Sequence, residues 1–311
     1  MKQEWFVIVN PNAGRRKGEK DWMKISGLLV EHDITFISIF TEHRNHASKL
    51  AKKYIEAGFK NIIVVGGDGT FNEVVNGIFS QQRYHPTDIT LGLIPVGTGN
   101  DWGRMFNIPS KYEEAIKVIA REKTFIQDVG KVTYVNSDAA HIRYFVNVSG
   151  MGYDALVAEK TNKQKDEGKG GTFSYLLNIF TSLFSYQNKD YEITVDGKRV
   201  RGKVFSMSVG ICKYNGGGMM QLPFAVPDDG LLDLTVINKI GKMKVIRNVP
   251  RLYDGSFIKI PQVRTFQGKT ITINTLTTLY LEADGESLGH SPFLFEILPK
   301  SLKVIIGPLT D

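Results

Sequence analysis

The sequence predicts an α/β plus all-β chain: a three-layer N-terminal domain built on a mostly parallel sheet, followed by an antiparallel β-sandwich domain. Three observations carry this expectation. As far as about Asp128, short apolar runs alternate with helical patterns, which is the grammar of βαβ units with helices over both faces of a sheet. Beyond Asp128, strand follows strand, with a strong hairpin signal at Asp196-Gly197. The length of 311 residues, 42% hydrophobic and 23% charged, also exceeds what one compact core usually holds.

Trp5 to Val9 reads as the first strand and Asn10 to Gly14 as a turn. Lys17 to Glu31 then reads as a helix, Thr35 to Phe40 as a strand, and His43 to Ala57 as a helix with Ala47, Leu50, Ala51, Tyr54 and Ile55 on one face. Strand Asn61 to Val65, helix Phe71 to Phe79, strand Leu91 to Ile94 and helix Tyr112 to Arg121 complete the first domain. In the second, Tyr191 to Val195 alternates and turns into Lys198 to Val204, and Lys269 to Asn274 and Thr278 to Glu282 alternate likewise. Thr172 to Tyr186 is apolar enough for one amphipathic helix among the strands. The expected division is residues 1–129 and 130–311, with the last strand allowed to return to the first domain.

The single cysteine, Cys212, excludes an intrachain disulfide and favours a reducing cytosol. The N-terminal apolar run ends at Asn10-Pro11 without a small-residue cleavage site and is read as a strand rather than a signal peptide. No apolar run approaches a membrane span. Any membrane contact is therefore expected to be peripheral, at the inner face for a cytoplasmic protein. A net charge of +7 favours polyanionic partners. No nucleic-acid module is recognisable, so nucleic acid is not expected among them.

Three Gly-rich turns carry the candidate chemistry. Asn10-Pro11-Asn12-Ala13-Gly14, followed by Arg15, Arg16 and Lys17, lies between a strand and a helix, where backbone N–H groups can hold a phosphate. Alone it reads more readily as a plain turn with a solvated basic face. Gly66-Gly67-Asp68-Gly69-Thr70 ends one strand and opens a helix. Its glycines allow close backbone approach to a polyphosphate, and its carboxylate suits magnesium or a metal-bound water. An Asp cap alone explains the acid but not three glycines. The third turn, Gly97-Thr98-Gly99-Asn100-Asp101, would bring Asp101 toward Asp68 if its strand is the neighbour in the sheet. The P-loop and dinucleotide-binding patterns are both absent.

Asn10-Pro11-x-x-Gly14, Gly66 to Thr70 with Asn72-Glu73-Val74, and Gly97-Thr98-x-Asn100-Asp101 together resemble the catalytic domain of the diacylglycerol kinase family. The resemblance continues through Phe145-Val146-Asn147, Gly152-Tyr153-Asp154-Ala155, Gly216-Gly217-Gly218, Asp228-Asp229-Gly230 and Asp284-Gly285-Glu286, in order along essentially the whole chain. It implies a Rossmann-like first domain, a β-sandwich second domain and a magnesium-dependent lipid kinase using ATP. By resemblance, Asn10, Pro11, Asn12, Ala13, Gly14, Thr41, Gly67, Asp68, Gly69, Thr70, Phe71, Asn72, Glu73 and Thr98 bind ATP in a crevice between the domains. Asp68 and Asp101 would position magnesium and phosphates, and Glu286 would be the general base. A second, structural magnesium is implied at Asp229 and the carbonyls of Val226 and Leu231, a reasonable hard-cation set.

Read without the resemblance, Ala283 to Ser287 is better taken as an acidic hairpin turn, and Asp228-Asp229-Gly230 as another turn. His43 and His46 lack a third ligand and are assigned no metal. Lys160, Lys163, Lys165 and Lys169 are expected in a polar loop, either solvated or facing a membrane. The expected partners are ATP and a lipid at a membrane surface, and a homodimer is compatible with the sequence. Two other functions stay open: a soluble-acceptor kinase of the NAD kinase type, and a non-catalytic lipid- or nucleotide-binding protein.

Overall fold

The structure is a computed structural model that describes residues 4–97, 99–166, 181–183 and 186–308. It divides into two compact units: Met1–Val129 with Lys300–Asp311, and Gly130–Pro299.

The first unit is a parallel sheet with helical connections. Strands β1 (Trp5–Val9), β2 (Phe36–Phe40), β3 (Asn61–Gly66) and β4 (Thr90–Pro95) stand in the order β2-β1-β3-β4. A segment from the end of the chain adds a parallel partner, with Lys303 and Val304 beside Thr90 and Leu91. Every residue of β1 and β3 is buried, as expected of central parallel strands covered on both faces. Helix α3 (His46–Ala57) buries Ala47, Leu50, Ala51 and Ile55 and stacks Tyr54 on Phe6 at 3.9 Å, which is the apolar face its periodicity predicts. Each such large side chain contributes roughly 1.5–3 kcal/mol on burial.

The connection after β1 differs from expectation. One helix over Lys17 to Glu31 is replaced by α1 (Ala13–Lys20) and α2 (Trp22–Glu31), broken at Asp21. Asp21 donates its N–H to Lys17 O, and its carboxylate accepts the Tyr112 hydroxyl at 2.7 Å. That bond ties the break to α6 (Tyr112–Ala120). Between them in sequence, α4 (Asp68–Ser80) begins three residues before the expected start, and α5 (Asp101–Met105) is a short helix the periodicity does not reveal.

The second unit is antiparallel. Its strands are β5 (Thr124–Asn136), which leads in from the first unit, β6 (Ala139–Phe145), β7 (Val148–Gly152), β8 (Lys189–Val195), β9 (Lys198–Gly210), the short pair β10 (Tyr214–Asn215) and β11 (Met219–Met220), and β12 (Leu232–Asn238). Then follow β13 (Val263–Gly268), β14 (Thr270–Thr275), β15 (Tyr280–Ala283) and β16 (Glu286–Ile305). The β8–β9 turn has positive φ at Asp196 (44°) and Gly197 (84°), matching the hairpin signal.

The expected sandwich is drawn into a closed circuit of pairings, β9-β8-β14-β16-β15-β7-β9. Long strands make this possible. The first half of β9 pairs with β8 and its second half with β7 and β12, while β16 pairs first with β15 and then with β14. Strands that pass from one sheet to the other leave few open edges.

Helix α7 (Tyr153–Asp166) takes in Lys160, Lys163 and Lys165, which therefore lie on a helix and not in the expected loop. Its buried Tyr153 and Val157 anchor it on Phe205 and Leu183. Lys169 and most of the expected helix over Thr172 to Tyr186 lie outside the described residues. A second helix of this unit, α8 (Lys242–Asn248), follows β12.

Candidate functional site

In the first unit, the three Gly-rich turns leave the carboxyl ends of β1, β3 and β4, three neighbours in one parallel sheet. Ligands of open α/β sheets bind at such strand ends. The turns interlock through backbone and short side chains. Asn10 donates its N–H to Val65 O at 2.9 Å and its Nδ2 to Thr70 Oγ1 at 2.8 Å. A Cβ on Gly97 would lie 2.9 Å from the Gly67 Cα, and one on Gly14 (φ +59°) only 2.0 Å from Val96 O. These glycines are required by contact between loops as much as by any ligand.

Asp68 opens α4, yet its carboxylate serves another helix. Oδ2 accepts the Asp101 N–H at 3.1 Å, and Oδ1 accepts the Trp102 N–H at 3.1 Å. It thereby satisfies two of the donors that the first turn of α5 leaves without helical partners. Asp101 is itself buried, with Arg104 Nε at 3.9 Å from its Oδ1. A Cβ on Gly99 would lie 3.3 Å from Asp68 Oδ2 and 3.6 Å from Asp101 Oδ2, so the two carboxylates flank one backbone position.

The remaining expected nucleotide residues fall into two groups. Asn10, Pro11, Ala13, Gly14, Gly67, Asp68 and Gly69 are partly exposed and Asn12 is exposed, so a ligand can reach them. Thr41, Thr70, Phe71 and Asn72 are buried. Phe71 stacks on Trp102 at 4.0 Å, and Asn72 accepts Asn76 Nδ2 through both its backbone and side-chain oxygens. The Thr41 N–H donates to Val9 O. Glu73 accepts the N–H groups of Asn45 (2.8 Å) and Ala47 (3.1 Å) and so caps α3. Thr98 lies outside the described residues.

The donor chemistry here fits magnesium. Two carboxylates are the hard oxygen ligands that this ion prefers. Beside them, Asn100 donates Nδ2 to Gly97 O at 2.9 Å, while its buried Oδ1 has no hydrogen-bond partner. A buried orphan acceptor of this kind suits a cation or its water.

In the second unit, Glu286 is the half-buried first residue of β16, entered through a hairpin turn with positive φ at Asp284 (48°) and Gly285 (83°). The hairpin reading of Ala283 to Ser287 is thus correct as local structure. Two buried carboxylates hold the turn. Asp284 accepts the N–H groups of Val146 (2.9 Å) and Asn147 (3.0 Å), and Glu282 accepts the Gly285 N–H at 2.9 Å.

Glu282 was not among the expected residues. Burial pushes its carboxyl up to about 8, partly offset by hydrogen bonds from Gly285 and from Asn215 Nδ2. Burial likewise raises Asp154 to about 6, against hydrogen bonds from Ser206 and Ser208. The two acids meet over Gly150, where a Cβ would lie 2.5 Å from Glu282 Oε1 and 3.0 Å from the Asp154 Cβ. An acid between apolar Leu281 and Ala283, both of them buried, is the signal that could have found it.

At the proposed structural metal position, Asp229 is exposed and its Oδ1 accepts the Leu231 N–H at 3.0 Å, while Val226 is also exposed. One carboxylate with nearby backbone carbonyls is compatible with a hard cation. Among the described residues no three His, Cys, Asp or Glu side chains converge as a metal site.

Comparison with known proteins agrees with this architecture. The family model for the diacylglycerol kinase catalytic domain matches residues 4–132, and that for the YegS C-terminal NAD kinase beta sandwich-like domain matches residues 147–306. YtlR of Bacillus subtilis, which carries a lipid-kinase name, is 31% identical, covering 96% of this chain and 98% of its own. A diacylglycerol kinase of Staphylococcus carnosus is 28% identical, covering 98% and 95%. A crystal structure from Bacillus anthracis assigned to the diacylglycerol kinases superposes with a TM-score of 0.78 at 26% identity, covering 99% and 96%. The chain belongs to the diacylglycerol kinase family, a class of lipid kinases.

Proposed function

We propose that this enzyme transfers the γ-phosphate of ATP to a hydroxyl of diacylglycerol or a related lipid, with magnesium. The observation that carries the reading is the convergence of three Gly-rich turns at neighbouring strand ends, with Asp68 and Asp101 flanking one point. Phosphoryl transfer asks chiefly for positioning and charge neutralisation. In this reading the first unit is a Rossmann-like nucleotide domain. The exposed parts of Asn10 to Gly14 and Gly67 to Gly69, with Thr98, receive the phosphates. Buried Thr41, Thr70, Phe71 and Asn72 hold the loops in shape, and Glu73 fixes the start of α3.

Magnesium, when bound at Asp68 and Asp101, supplies positive charge to the polyphosphate. Asp68 orients the start of α5, and hence Asp101, through its two accepted N–H groups. Glu286 takes the proton from the acceptor hydroxyl, while Glu282 and Asp284 keep its turn in place. Asp229, with the backbone carbonyls of Val226 and Leu231, would hold a second magnesium, whose binding would stabilise the second unit. The lipid is met at a membrane surface from the cytoplasmic side. No helix among the described residues is long and apolar enough to cross a membrane.

The test is incubation with labelled ATP, magnesium and a panel of hydroxyl lipids, with NAD as a soluble alternative, followed by chromatography. Label in a phosphorylated lipid supports the proposal. Label in NAD would favour the soluble-acceptor kinase, and no transfer to any acceptor would favour a binding protein.

A further inference from the structure

Between Leu234 and Arg264 the chain carries seven basic residues against one acidic residue, Asp254, which is nearly the whole excess of +7. All seven are exposed. The lone acid is engaged locally, accepting the Ser256 N–H at 2.9 Å.

Packing turns this stretch into a two-sided element. Val245 and Ile246 of α8 face inward onto the cluster of Tyr153, Val157, Leu183 and Phe205. Lys242, Met243, Lys244 and Arg247 are left outside, Met243 being 62% exposed. The turn Val249–Leu252 packs against α8 and against the next turn, Ser256–Lys259. Gly255 lies on Met220 and Pro223, where a Cβ would come within 2.9 Å of the Met220 sulfur. Phe224 (56% exposed) follows Pro223 in the chain, and Tyr253 (48% exposed) stands two residues before Gly255.

We propose that this face docks the protein on an anionic lipid bilayer. Basic side chains around exposed Met, Phe and Tyr fit a headgroup layer, which offers negative charge at its surface and hydrocarbon just beneath. Nucleic acid would use the charge but gives no role to exposed Met243 and Phe224. The lipid-kinase reading is used only to favour a bilayer over other polyanions.

The experiment is co-sedimentation of the full chain, without ATP, with vesicles of phosphatidylcholine alone or mixed with phosphatidylglycerol. The wild type should bind the anionic vesicles and lose binding as salt screens the charges. The variant Lys242→Gln/Lys244→Gln/Arg247→Gln/Arg251→Gln should bind at least about tenfold more weakly. Removing equal charge from the first unit, by Lys24→Gln/Lys49→Gln/Lys53→Gln/Arg121→Gln, should change binding little. Met243→Ser/Phe224→Ser should weaken what binding persists in high salt.

Equal losses in the two charge variants would overturn the proposal in favour of overall charge. Unchanged binding in the first variant would overturn it outright, and tighter binding of duplex DNA than of anionic vesicles would assign the face to nucleic acid. Turnover on detergent-dispersed acceptor should be the same in the first variant and wild type. Vesicle binding without any lipid phosphorylation would instead sink the kinase reading and leave the docking face standing.

Discussion

The carboxylate of Asp68 accepts the backbone N–H of Trp102, 34 residues later in the chain, at 3.1 Å. With the parallel bond to the Asp101 N–H, one side chain both faces the proposed phosphate site and fixes the helix that presents the second acid. Substitution there should therefore act on catalysis and on structure together, in unequal amounts.

Asp68→Asn should lower turnover by roughly 100-fold or more, since it removes a charge that acts on the transition state. The amide keeps one acceptor but turns N–H donors toward a backbone N–H, costing about 1–2 kcal/mol of stability. Folding monitored by circular dichroism and turnover at saturating Mg-ATP separate the two effects. Near-normal turnover in a folded protein would remove Asp68 from the mechanism.

Gly97→Ala tests the interlocked loops. A Cβ 2.9 Å from the Gly67 Cα forces one turn away from the other, and overpacking of this kind costs about 1–3 kcal/mol. The variant should unfold at lower denaturant and bind ATP more weakly than wild type. A variant equal to wild type in both would show that the turns are held apart in solution.

Much of this architecture is legible in the sequence because its cause is local. The apolar runs of β1 and β3, the inward face of α3 and the Asp196-Gly197 turn each follow from a few neighbouring residues. What escaped notice depends on distant partners. Glu73 caps α3 from 26 and 28 residues away, and α5 takes its cap from Asp68. Asp154 and Glu282 meet only because β7 pairs with β15. The closed circuit of the second unit escaped because β9 and β16 each exchange partners midway, which alternation of polar and apolar residues does not encode.

Buried acids predict an unusual pH dependence. Glu282 is pushed from an ordinary 4.5 up to about 8, and Asp154 from 3.8 to about 6, in both cases chiefly by burial. The folded state therefore retains protons that the unfolded chain releases. This contribution to stability is complete below the unfolded values and is lost as pH rises through the folded ones. Melting temperature should fall between about pH 4 and pH 8, and Glu282→Gln, which cannot titrate but can still accept the Gly285 N–H, should flatten that fall. The same slope in variant and wild type would show that Glu282 is ionised throughout.

Asp229→Ala separates a structural metal from the catalytic one. Loss of the hydrogen bond from the Leu231 N–H should cost only about 0.5–1.5 kcal/mol, because Asp229 is exposed. The informative quantity is the rise in melting temperature on adding magnesium, since a ligand stabilises only the state that binds it. That rise should be smaller in the variant, and an equal rise would place the stabilising magnesium elsewhere.

Phosphoryl transfer to a lipid hydroxyl is proposed for the carboxylate-flanked turns at Asp68 and Asp101, with Glu286 as the base. Its most direct test is a single-turnover measurement with labelled ATP and diacylglycerol dispersed in detergent, comparing wild type, Asp68→Asn and Glu286→Gln with and without magnesium. Labelled phosphatidic acid should form from the wild type only when magnesium is present, and its rate of formation should fall by roughly 100-fold or more in each variant. Rapid formation of labelled phosphatidic acid by both variants, or none by the wild type while another acceptor takes the label, would contradict it.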